Sequence, residues 1–254
     1  MRRADPPPPG RRARARGRLQ RASGEAVRWV WDRSVELGAI GPDTGAGRRF
    51  GRFGDRSVIC FPPGTLFNER YIHIGSQTMI GPDVSLSAGM VPGQQCVTDP
   101  VVRIGDRCLI GRGSGIVGHL AIDIGDDVWT GHYVYITDQN HGYEDPHRPN
   151  SVQVQPERPV IVGRGSWLGH GTIVLPGATI GEHVVVAAGS VVTGSLPDRC
   201  VAAGSPARPI RIWDAERGWV GVPRADGGSG EVERGAATGH QVDAGEGVHA
   251  VGDG

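Results

Sequence analysis

Residues 162 to 197 constrain the whole chain. Val162, Leu168, Val174, Ile180, Val186 and Val192 recur every six residues, and Ser166, Thr172, Ala178, Val184 and Ser190 stand four places after the first five. A period of six fits neither the two-residue alternation of a strand nor the roughly 3.6-residue turn of a helix. It is the period of a parallel β-helix, in which three hexads make one triangular coil. One aliphatic residue per hexad then points inward and a small residue turns the corner. Gly163, Gly169 and Gly181 at the second place supply backbone freedom. Successive coils would pair edge to edge at about 4.8 Å.

The repeat begins weakly near Leu66 and is clear at Ile74, Ile80 and Leu86. It resumes at Ile104, Ile110 and Ile116 and, after a two-residue slip, at Ile124, Thr130 and Ile136. Gaps at 92–103 and 142–161 interrupt it. Fifteen hexads in all make five coils, and each interruption follows a multiple of three, so every insertion should leave the prism at one corner. Equivalent places must also stack. The third place of the middle hexads forms a column of Pro82, Arg112, His132, His170 and Ala188, and Trp129 lies under Trp167. His141 closes its hexad at the corner where the longer insertion departs.

The flanks read differently. Residues 1–20 hold PPPPG and seven arginines against one acid, a composition that predicts a disordered tail. Residues 21–57 read as a lead-in with a short amphipathic helix (Val27, Val30, Trp31, Val35, Leu37) that caps the open solenoid. The β-helix domain is expected over 58–213, and the Gly-rich acidic stretch 214–254 as a second disordered tail. Lys and Arg match Asp and Glu at 27 each, so the chain as a whole carries no nucleic-acid-binding field. Four cysteines without CxxC spacing predict reduced thiols and a cytoplasmic location. No apolar run reaches the length of a membrane span.

Chemistry concentrates in D-Q-N-H-G-Y-E-D-P, Asp138 to Pro146. A histidine at the mouth of a long loop on a rigid scaffold suits a general base, with Glu144 or Asp145 to orient it. The same residue also fits a turn histidine with a satisfied hydrogen bond. Trp129 and Trp167 suit a packed ladder or subunit contact better than a substrate platform. His132 over His170 suggests a metal pair that lacks a third ligand.

Several motifs together resemble the hexapeptide-repeat acyltransferases of the maltose, galactoside and nodulation O-acetyltransferase kind. They are I-T-D-Q-N-H-G-Y, W-L-G-H-G, V-L-P-G-A-T-I-G, A-A-G-S-V-V-T and A-A-G-S-P-A-R-P-I-R, spread over about residues 60–213. The resemblance implies a left-handed parallel β-helix, a homotrimer, acetyl-CoA as donor and no metal. The implied acceptor is a small carbohydrate-like molecule with a hydroxyl or amine. It makes His141 the catalytic base and assigns His170, Ala188, Thr193, Arg208 and Arg211 to the coenzyme, with Asn140 and Tyr143 beside the acceptor. Two positions depart from the family pattern: His170 replaces a common serine, and Gly194 replaces a lysine that often follows the threonine. Two other readings share the scaffold. One is a zinc hydratase of the γ-carbonic-anhydrase kind, although His141 and His147 are six apart where that family has five. The other is a non-catalytic solenoid.

Overall fold

A computed structural model describes residues 11–154 and 156–223, with side chains from Gln20 onward. The prism has three parallel faces. On the first, the inward column is Phe53, Ile74, Ile104, Ile124, Val162, Ile180 and Leu196. The second carries Ile59, Ile80, Ile110, Thr130, Leu168, Val186 and Ala202. The third carries Leu66, Leu86, Ile116, Ile136, Val174 and Val192. The hexad residues from 162 to 192 are all buried. Each large aliphatic side chain so buried contributes about 1.5–3 kcal/mol.

The stack is longer than the clear repeats indicate. Arg52–Phe53, Val58–Ile59 and Leu66–Phe67 build a coil beneath the first readable one, and Ser195–Leu196 with Cys200–Gly204 begins another above the last. Six complete coils result in place of five. The extra coil is hard to read because Leu66 follows Ile59 by seven residues and Ile74 follows Leu66 by eight. The insertions do share one corner, between the third and first faces. They occupy 89–101, the slip at 119–121, and 138–159, so Val102 and Val160 already belong to strands.

Corner residues do more than save space. The hydroxyls of Ser57, Thr78 and Ser166 donate to the carbonyls of Gly75, Gly105 and Gly181 one coil away, at 2.6, 2.7 and 2.9 Å. Cys108 follows the same pattern, its thiol donating to the Gly125 carbonyl at 3.1 Å. Burial pushes that thiol up to about 11.

The second-place glycines serve a purpose other than the expected one. Gly163 and Gly169 have ordinary φ, but a Cβ on Gly163 would stand 2.4 Å from the Gly181 carbonyl carbon, and one on Gly169 would stand 2.5 Å from the Ala188 nitrogen. Close approach of neighbouring coils demands glycine there. Left-handed backbone falls two places later, at Gly165, Gly171, Gly177 and Gly189, and at Arg107, Asp127, Tyr133 and His183 in the same register.

Both flanks carry more structure than composition suggests. The helix runs Arg11–Gly38, so it begins inside the stretch expected to be disordered. Ala and Arg are strong helix formers, and here that propensity prevails over the lack of a core. Trp31 meets Phe61 at 6.4 Å but stays exposed, as do Val27, Trp29, Val30 and Leu37. At the other end, Ala207–Asp214 pairs antiparallel with Gly218–Gly221, and Trp213 packs edge-on against Trp219 at 5.6 Å. The Asp214 carboxylate accepts the Arg217 side chain and the Glu216 and Arg217 amides, which hold it below the usual carboxylate range. Residues 1–10 and 224–254, including most of the two expected tails, lie outside the described residues. Among the described residues no helix is long and apolar enough to cross a membrane.

Gly163→Ala is expected to lower the unfolding free energy by about 3 kcal/mol, because backbone one coil away must yield. Gly171→Ala enters open space at a positive φ and should cost about 1 kcal/mol. Chemical denaturation of both variants checks the order. Equal losses would mean that coil approach does not set the second place.

Candidate active site

The long insertion departs where Asp138, fully buried, fixes the corner. Its Oδ1 accepts the His119 amide at 2.8 Å, and its Oδ2 accepts those of Leu120 and Ala121 at 2.8 and 2.7 Å. Its carbonyl accepts the Arg158 amide at 2.9 Å, where the same insertion returns. One residue therefore ties the two-residue slip of one coil, through its side chain, to the returning end of the loop above it, through its carbonyl. Carboxylate acceptors make stronger hydrogen bonds than neutral ones, which suits a carboxylate to this place.

His141 leaves this anchored corner and pairs as an antiparallel bridge with Val154, so the loop doubles back beside it. Gln153 fills the loop, accepting the Asp145 amide and donating to the Asp145 and Arg148 carbonyls. Asp145 Oδ1 accepts the His147 amide at 3.0 Å. Asp145 thus organises the loop instead of orienting His141.

His141 lines an open groove of about 630 Å³ on the third face. Its walls offer hydroxyls (Thr65, Ser85, Ser87, Ser114, Tyr133, Tyr135), an amide (Gln139) and apolar surface (Phe67, Met90, Val117). That mixture suits a molecule with both hydroxyls and carbon faces. Asn140 and Tyr143, expected beside the acceptor, are exposed and stand outside the groove walls. Asn140 Oδ1 instead accepts the His141 amide at 3.0 Å.

The structure adds a second imidazole. His119 lines the same groove, its side chain only 9% exposed, with Nδ1 3.3 Å from Glu157 Oε1 of the long loop. Sequence reading missed it because it falls in the slip, outside every hexad. Strand register alone brings it near, since Val117 stands opposite Thr137.

The expected coenzyme residues occupy both edges of the third face. At the edge shared with the second face, His170 and Ala188 stack as counted, with the His132 ring 6.2 Å and the Tyr133 ring 5.5 Å from His170. Continuing upward, the column meets Cys200–Gly204, where Ala203 pairs with Arg208 and Val201 with Arg211. Thr193 lies at the opposite edge, just after Val192, so no single wall of the chain gathers all five. Among the described residues, no group of three or more His, Cys, Asp or Glu is placed to hold a metal ion. Trp129 pairs in register with Trp167, and both are more than half exposed on the second face.

Comparison with known proteins adds the following. Residues 159–194 match the family described as bacterial transferase hexapeptide (six repeats), and residues 101–137 match the hexapeptide repeat of succinyl-transferase. A probable acetyltransferase of Mycobacterium tuberculosis is 36% identical over 118 residues, 45% of this chain and 39% of the relative. The putative lipopolysaccharide biosynthesis O-acetyl transferase WbbJ of Escherichia coli is 39% identical over 103 residues, 38% of this chain and 53% of the relative. The match therefore spans about half, or less, of the length of these relatives. Among solved structures, a point mutant of AntD, an N-acyltransferase from Bacillus cereus, in complex with dTDP and coenzyme A aligns with a TM-score of 0.55 at 24% identity. That alignment covers 65% of this chain and 85% of AntD, and it shows a shared fold, the left-handed parallel β-helix.

Asp138→Ala should cost at least about 2 kcal/mol of stability, because three backbone donors lose their acceptor together. Chemical denaturation measures the loss. A variant as stable as the parent would mean that the corner is held by something else.

Proposed function

We propose that this chain, which belongs to the hexapeptide-repeat family of bacterial transferases, moves an acetyl group from acetyl-CoA to a hydroxyl of a carbohydrate-like acceptor. The observation that carries the reading is His141 in the wall of a hydroxyl-lined groove, on a corner anchored at both ends of its loop.

The chemistry follows from what that position can do. The imidazole takes the proton of the acceptor hydroxyl as its oxygen attacks the thioester carbonyl. The tetrahedral intermediate then collapses, the carbon–sulfur bond breaks, and the departing thiolate of CoA receives the proton from the imidazolium. An ester and free CoA result, so protons and electrons balance without a metal or redox partner. A rigid corner helps because a base is effective only within hydrogen-bond reach of the proton it removes.

The donor reading rests on the column of His170 and Ala188 leading up to Arg208, whose fork of N–H groups suits a phosphate. Similarity to a probable acetyltransferase of Mycobacterium tuberculosis and to the putative O-acetyl transferase WbbJ of Escherichia coli supports the same donor. Thr193 on the opposite edge fits a cleft completed by a neighbouring copy, which makes a homotrimer the natural assembly. The outward column of Met79, Trp129 and Trp167 gives such copies exposed apolar surface to bury. Four cysteines without disulfides agree with a reducing, cytoplasmic setting.

His141→Ala should lower kcat by about 10²–10⁴-fold while acetyl-CoA still binds by calorimetry. The assay is release of free thiol from acetyl-CoA over a panel of sugars and amino sugars. Near-parental kcat in the variant would remove His141 from the mechanism. Failure of the parent protein to bind acetyl-CoA would remove the reaction altogether.

A further inference from the structure

A second groove, of about 660 Å³, adjoins the one that holds His141. The two share Thr65 and Phe67, and one insertion walls both: Gly89 and Met90 face the first, Pro92 to Gln95 the second. This insertion is tied down by side chains. Asn68 Nδ2 donates to the Ala88 and Val91 carbonyls at 2.5 and 2.9 Å, and its Oδ1 accepts the Gly93 amide at 2.7 Å. Gln94 Oε1 accepts the Met90 amide at 2.7 Å. The groove is therefore part of the built fold.

Its charge differs from that of its neighbour. The walls of the His141 groove contain no Arg, Asp or Glu, whereas the second groove contains Arg49, Glu69 and Arg70. Arg49 is neutralised by Glu69 at 2.8 Å. Arg70 has no carboxylate partner among the described residues. Its guanidinium carbon lies 4.5 Å over the Tyr71 ring, and the Tyr71 hydroxyl donates to Gln95 Oε1 at 3.0 Å. The exposed guanidinium rests on the ring, and its planar fork of N–H donors has no hydrogen-bond partner among the described residues. Nearby, burial pushes the Cys96 thiol up against the opposing pull of Arg70.

A ring-stacked guanidinium with unused donors beside a hydroxyl-lined groove without carboxylates has a specific chemical complement. We propose that the second groove is an outer acceptor subsite for an anionic oxygen group, phosphate or carboxylate, carried by a sugar whose reacting hydroxyl lies at His141. Arg70 binds that group through paired N–H donors. The acceptor is then an extended molecule that reaches from the first groove into the second. This inference deepens the acetyl-transfer reading and rests on it for the identity of the first groove.

Calorimetric titration of the full-length protein with maltose, maltose 1-phosphate and maltobionate tests it. At least one anionic sugar should bind about tenfold or more tighter than maltose, as charge-assisted hydrogen bonds to one Arg allow. Arg70→Gln should bring the three within about twofold of one another. Preference for the phosphate alone, or for both anions, decides which group the subsite takes. Equal affinities in the parent protein, no binding of any of the three, or a preference that survives Arg70→Gln would overturn the proposal. Binding is read without turnover, so its failure leaves the acetyl-transfer reading to be judged by thiol release alone.

Discussion

The approach of one coil to the next, at about the 4.8 Å of ordinary strand pairing, is the constraint on which the molecule depends. Many residues at a coil boundary are small or engaged across it. Gly163 and Gly169 leave room for backbone, and Ser57, Thr78, Cys108 and Ser166 send a hydrogen bond to the coil above. Because the spacing is fixed, a residue's place in its hexad determines its neighbours in three dimensions. That is why the stacked strands place His170 and Ala188 in one column although eighteen residues of chain separate them.

The same rigidity explains where chemistry sits. A prism with fixed faces can vary only where chain leaves it, and here every insertion leaves at one corner. Asp138 converts that corner from a weak point into an anchor, binding three amides of the coil below and one of the returning loop. His141 and His119 then face a common groove from adjacent coils, and the first insertion continues its wall into the groove that contains Arg70.

Much of this was legible in the sequence, and the limits have physical causes. The six-residue period, the shared exit corner and the pairing of Trp129 with Trp167 all follow from counting, because strand register is strict in a stacked solenoid. The lowest coil was not legible, since irregular spacing around Leu66 hides the period. The reason for Gly163 was misread because sequence shows a glycine without showing whether φ or a neighbour demands it. Side-chain meetings between a loop and a coil below it, such as Glu157 with His119, have no periodic signal at all. The terminal hairpin was obscured by a composition that looks disordered, yet Asp214 and Arg217 close its turn.

The account turns on where the acceptor lies. A crystal structure of the protein with CoA and a bound acceptor sugar examines that most directly. A sugar hydroxyl should stand within hydrogen-bond reach of the His141 ring, about 2.6–3.2 Å, with the CoA sulfur on its far side. A sugar seated away from the third face, or CoA and sugar in separate clefts with His141 near neither, would contradict it.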